Sequence, residues 1–284
     1  MPFPSSHSAT APDHSLPVIP AAAFWEKGLE CVGVVAAGED CLVNYRTVYG
    51  CGALLLGVVG LLVGDFALQW QPVPTGIALR QPLAYLAALV LVALGAAVLW
   101  PKTSRTAVLC LAAWYGLWAV LLHAPRVIPH PNDLSMWLGV CEILALSMGG
   151  LTAWALYQSD MQRRATLTRI ARSIFGLCLL VFGASHFVYA DFSAGMIPRW
   201  LPLPLFWVYL TGAGHVAAGL SFLSGIATRL ASFWLTIMFA CFVLLLHLPR
   251  VIGDPTSRVE WTMLGVATSL TGAAWIVAAS RRGT

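Results

Sequence analysis

The sequence predicts an all-α polytopic membrane protein, with eight transmembrane helices forming two parallel four-helix repeats. Three observations carry this. The chain is 59% hydrophobic and only 10% charged, with a mean hydropathy of +0.79. Soluble domains carry about a quarter charged residues, so lipid is the solvent that suits most of this chain. Apolar segments long enough to cross a bilayer, each about 20 residues, recur eight times. The chain also repeats itself. Leu122-His123-Ala124-Pro125-Arg126-Val127-Ile128 returns 124 positions later as Leu246-His247-Leu248-Pro249-Arg250-Val251-Ile252. The same shift pairs Pro74 with Pro198, Tyr85 with Tyr209, Gly95 with Gly219, Arg105 with Arg229 and Trp137 with Trp261. A period held over so many positions sets the architecture before any single residue does.

In order, residues 1–45 precede the bundle. Met1 to Pro20 is rich in Pro, Ser and Ala and reads as disordered, with no signal-peptide pattern. Phe24 to Ala37 reads as a short interfacial helix. The first repeat, residues 46–158, holds spans over 47–68, 82–100, 105–123 and 134–157. The second, residues 169–281, holds spans over 170–190, 205–223, 229–247 and 259–279. Turn chemistry separates them: Gln71-Pro72-Val73-Pro74, Pro101-Lys102-Thr103-Ser104, Pro129-His130-Pro131-Asn132-Asp133 and Gly253-Asp254-Pro255. Glycines such as Gly57, Gly60, Gly64, Gly212 and Gly219 are placed for close helix packing. Trp70, Trp137, Trp200, Trp207 and Trp261 stand near span ends, as an interfacial belt does.

Charge orients the bundle. Eight spans put both termini on one side. That side carries Lys27, Arg46, Lys102, Arg105, Arg163, Arg164, Arg169, Arg172, Arg229, Arg281 and Arg282. The other carries Arg80, Arg126, Arg199, Arg250 and Arg258. The excess of Lys and Arg predicts an inner-membrane protein with both termini cytoplasmic. Four spans per repeat then give the two copies the same direction, related by an axis along the membrane normal. The net charge of +4 gives no reason to expect nucleic acid. Seven cysteines, an odd number without a CxxC pair, point to neither a disulfide framework nor a metal site.

The unusual polar residues fall toward the outer face. His123 and His247 close the third and seventh spans, and Arg126 and Arg250 follow three residues on. Each His-x-Pro-Arg reads either as a helix stop with a snorkelling Arg or as half of an outer vestibule that holds an anion. Glu142 lies about eight residues into the fourth span, His186 about a turn inside the end of the fifth and His215 near the middle of the sixth. Ionisable groups inside a span are costly and mark function by default. The shift of 124 sets Leu62 against His186, Leu91 against His215 and Val266 against Glu142, so these three are not demanded by the repeat. We expect them to border one cavity in the outer half. His186 and His215 are expected about two turns apart in depth, which disfavours a haem held between them.

Gly183-Ala184-Ser185-His186-Phe187, Ile197-Pro198-Arg199-Trp200-Leu201-Pro202 and Thr211-Gly212-Ala213-Gly214-His215-Val216-Ala217-Ala218-Gly219 occur in that order. Over residues 169–280 the chain thereby resembles the DoxX-like membrane proteins, four-helix units with a GxxHF end to the first helix and a TGxxE-type second helix. His215 stands where that family has Glu, and the first half lacks both segments. The resemblance implies a membrane subunit that partners redox enzymes, as in thiosulfate:quinone oxidoreductase. It assigns no cofactor residue by residue.

Three functions are open at this point. One is a subunit of a quinone-linked redox system using His186, His215 and Glu142, with quinone the favoured ligand and haem a weaker choice. The second is a carrier for a small lipid or anion, clamped by Arg126 and Arg250 with His123 and His247. The third is a purely structural anchor for a soluble partner protein. No nucleophile–base pair of familiar spacing suggests catalysis by this chain alone.

Overall fold

The computed structural model describes residues 45–280. The segment before Tyr45, with its expected interfacial helix and with Cys31 and Cys41, and the last four residues lie outside the described residues. Among the described residues, eight helices are long and apolar enough to cross a membrane. We number them α1 (Tyr45–Val63), α2 (Arg80–Leu99), α3 (Pro101–Val127), α4 (Leu134–Ala155), α5 (Met161–Val188), α6 (Pro204–Ser224), α7 (Thr228–Gly253) and α8 (Arg258–Ala279). A seven-residue helix, Ala190–Met196, leads from α5 toward α6. No strand occurs among the described residues.

Local chemistry explains the ends. Gly64, at φ +70°, stops α1 in the left-handed conformation that glycine adopts without penalty. Pro101 opens α3 at the position where a missing N–H costs nothing. Asp133 caps α4 by accepting from the Ser135 amide at 2.8 Å, and Asp160 caps α5 by accepting from Gln162 at 2.9 Å. The Asp160 cap starts α5 nine residues before the apolar run that betrayed it. Its first turns carry Arg163, Arg164 and Arg169, so the helix is longer than its lipid-compatible part.

The expected stops at Pro125 and Pro249 are not found. Both helices run through the proline, to Val127 and to Gly253. Each first widens into a π-helical stretch, Ala119–His123 in α3 and Phe242–His247 in α7. The amide of Ala124 bonds five residues back to Ala119, and that of Leu248 to Val243. An interior proline breaks a helix by clashing with the carbonyl four residues back. The wider turn removes that conflict.

Helices α4 and α8 hold the centre. Helix α4 packs against α3, α5 and α8, and α8 packs against α1, α4 and α7; α1 pairs with α2, and α5 with α6. The apolar window of α8 is 72% buried, against 22% for α7. The two halves of the chain therefore do not sit as separate bodies: α1 leans on the last helix and α5 on the fourth. Close approach depends on glycine. A Cβ on Gly272 would lie 2.4 Å from the Tyr49 nitrogen, and one on Gly52 would lie 2.7 Å from the Gly265 carbonyl. Large apolar side chains such as Leu86, Leu121, Leu177 and Leu220 remain on the outside.

Features of the two halves match at fixed spacings. Leu79 and Leu203, just before α2 and α6, both have φ 56°. Trp137 and Trp261 each donate Nε1 to a prolyl carbonyl, of Pro131 and Pro255, at 2.9 Å. Those pairs are 124 apart, but α1 and α5 match at 126. Gly57 abuts Ala88 and Val92 as Gly183 abuts Gly212 and Val216. Likewise Gly60 meets Ala88 where His186 meets Gly212. The position matching His186 is therefore Gly60, not Leu62, which is exposed. The loop after α1 is two residues longer than its counterpart, and an ungapped shift cannot see that.

Candidate functional site

Helices α5, α6 and α7 bring His186 and His215 together. Gly212 lets α6 approach α5 closely enough to touch the His186 Cβ. The two imidazoles lie 4.9 Å apart between centroids, tilted by 41°. Phe182, Phe239 and Phe242 surround His215 at 5.8, 5.5 and 6.2 Å, and Phe242 stacks on His186 at 6.4 Å. Each histidine Nδ1 is 2.8 Å from the carbonyl four residues back, Phe182 for His186 and Thr211 for His215. A carbonyl only accepts, so Nδ1 carries the proton, and a neutral ring keeps Nε2 as an acceptor.

The expected two-turn difference in depth is corrected. His186 is near the end of α5, while His215 is eleven residues into α6, about 16 Å along that helix. The segment between the helices starts α6 well beyond the end of α5, and this levels the two rings. Ring contact this close leaves no space for a macrocycle between them.

Nearer the helix ends stands a second group. Arg250 donates Nε to Glu260 Oε2 at 2.9 Å and Nη2 to Oε1 at 2.6 Å, a two-pronged pair. Glu260 is buried in the first turn of α8, where the helix dipole favours an anion. His247 is buried beside this pair, and its Nδ1 has no hydrogen-bond partner. Glu260 was not foreseen. Its signal was a carboxylate opening a span ten residues after Arg250, and at the start of a helix that reads as an ordinary cap charge.

The other half is arranged differently. His123 is buried and its Nε2 donates to the Trp70 carbonyl at 3.0 Å. Trp70 is not part of an interfacial belt. It is 5% exposed, carried inward by a single 3₁₀ turn, Leu68–Trp70. Glu142 faces its indole, whose Nε1 closes no hydrogen bond of ordinary geometry. Arg126 is exposed, and Met136 stands at the position matching Glu260. No hydrogen bond, ion pair or ring contact among the described residues joins Glu142 to His186 or His215. The sequence candidates thus fall into two sets: His186, His215, His247 and Arg250 with Glu260 in one half, His123, Arg126 and Glu142 with Trp70 in the other. Among the described residues no group of three His, Cys, Asp or Glu side chains is placed to hold a metal ion.

Residues 175–278 match the family DUF8561, a domain of unknown function. The matched stretch contains His186, His215, His247, Arg250 and Glu260, and excludes Glu142, His123 and Arg126. No curated protein and no solved structure matches the chain.

Proposed function

We propose that this protein is an integral membrane subunit of a quinone-linked redox system, and that its second half binds the ring of the quinone at His186 and His215. The observation that carries the reading is the pair of histidines in ring contact within a phenylalanine wall. Such a wall suits a flat apolar ring, and the histidines supply the few polar contacts that fix its orientation. Nε2 of either ring accepts from a quinol hydroxyl and can take its proton as a redox partner subunit withdraws the electrons. The resemblance to DoxX-like proteins over residues 169–280 supports the same reading, since the site lies inside that stretch.

The wider architecture is part of the proposal. Two parallel four-helix copies are supported by the left-handed Leu79 and Leu203, the two π-helical stretches and the matching glycine contacts. An inner-membrane location with cytoplasmic termini is supported by the excess of Lys and Arg at one end of the eight helices.

The anion-carrier reading is weaker, because its two arginines differ. Glu260 already satisfies Arg250 through both prongs, which leaves Arg126 alone for an anion. Extraction of the purified protein tests the reading directly. We expect co-purifying quinone in the wild type. His215→Leu should weaken binding of an added short-chain quinol about tenfold, the effect of one buried hydrogen bond. Normal folding with unchanged quinol affinity in both His186→Leu and His215→Leu would overturn the assignment.

A further inference from the structure

The segment that carries Trp70 inward is held at its rim and strained along its length. Asp65 pairs with Arg80 at 2.7 Å and with Arg258, at the start of α8, at 3.4 Å. Arg258 also donates to the Phe66 carbonyl, and Arg80 donates to those of Val73 and Pro74 at 2.7 and 3.0 Å. The Arg80 guanidinium lies 5.1 Å over the Phe66 ring. This clasp is in reach of water, with the Asp65 side chain 34% exposed. Between clasp and indole, Leu68 sits at φ 52°, a conformation that costs a residue with a side chain. At the far end the Trp70 N–H is buried and unpaired, although a carboxyl group faces it.

We infer that the strap from Asp65 to Trp70 is a displaceable plug, and that the pocket it fills between His123 and Glu142 takes a phenol- or quinol-type ring. Trp70 shows what the pocket accepts. Its side chain presents a flat ring with an N–H toward Glu142, and its backbone carbonyl, which leaves with the strap, accepts from His123. A ring with a hydroxyl on each of two opposite edges offers the same acceptor and donor without a strained backbone. The strap is closed by ion pairs at its rim, so salt or loss of Asp65 favours the open form. This pocket shares no residue with the His186 and His215 site and does not depend on it.

The test uses the full chain in detergent, trapping Glu142 with dicyclohexylcarbodiimide and locating the adduct by peptide mass spectrometry. We expect slow trapping in the wild type, about fivefold faster trapping in Asp65→Asn, and a gain of more than about tenfold in Trp70→Gly. Trimethylhydroquinone should then protect Glu142 in Trp70→Gly. Arg258→Gln, at the other side of the clasp, should act as Asp65→Asn does, which keeps the test intact if Trp70→Gly fails to fold. Equal trapping in the wild type and both clasp variants would overturn the plug. Fast trapping in Trp70→Gly that trimethylhydroquinone does not slow would overturn the ring pocket. His186→Leu should leave every one of these rates unchanged, so failure here is distinct from failure of the quinone site.

Discussion

Arg126 and Arg250 follow the same histidine–proline motif, yet they do different things because of one residue on another helix. Glu260 fixes Arg250, and Met136 leaves Arg126 to the surface. Removing one partner of a buried pair strands the other. The Arg250 side chain is 37% exposed, so Glu260→Gln should cost only about 1–2 kcal/mol. Thermal melting in detergent measures this, and the double change Arg250→Met with Glu260→Met should recover most of the loss. A second residue-scale effect lies at Leu79 and Leu203, both left-handed and exposed. Leu203→Gly or Leu79→Asn should stabilise the fold by about 0.5–1 kcal/mol, seen as a higher melting temperature. The sequence marked His186, His215 and Glu142 because a titratable group in an apolar run stands out by itself. It could not mark Trp70, because a tryptophan near a span end looks the same in a belt as in a plug. Only the neighbours distinguish the two.

At the scale of the helix, hydropathy located every long element but misjudged where several end. Caps, not apolarity, begin α5, and a π turn carries α3 and α7 past their prolines. Both effects are local hydrogen-bond chemistry beyond the reach of a hydropathy average. Which helices touch was not legible either. Glycine spacing indicates that a face is smooth without naming its partner. The α1–α8 contact makes the strongest prediction here. Gly272→Val would drive a methyl group into the Tyr49 backbone, whose ring is anchored by its hydroxyl to the Leu146 carbonyl at 2.8 Å. We expect loss of the monodisperse folded protein by size-exclusion chromatography. Gly253→Ala, with nothing within 4 Å of the added carbon, should behave as wild type.

For the whole molecule, the eight helices among the described residues that are long and apolar enough to cross a membrane, with the lopsided charge, make orientation testable. Reporter fusions after Pro129 and after Gly253 should read as outside, and a fusion after Arg164 should read as inside. An outside reading at Arg164 would reverse the proposed topology. The recurrence at 124 positions was legible because the His-x-Pro-Arg motif stands in both halves of the sequence. Its two-residue slip in α1 was not, because the loop that absorbs it carries no repeated motif.

The pairing of the first helix with the last bears on how the chain is made. Tyr49 lodges against Gly272, which is translated 223 positions later. At ordinary elongation rates that is a wait of about 10–45 s. During this interval the Gly52 face of α1, which meets Gly265 and Ser269 of α8, has only lipid or an insertion factor to cover it, while α2 already covers Gly57 and Gly60. A transcript truncated before α8 would leave that face bare for good, and quality-control proteases should clear the product. A chain cut between α4 and α5 is a different matter, since each fragment would hold the surface that the other lacks. Two such fragments, expressed together, should find one another in the bilayer and co-purify.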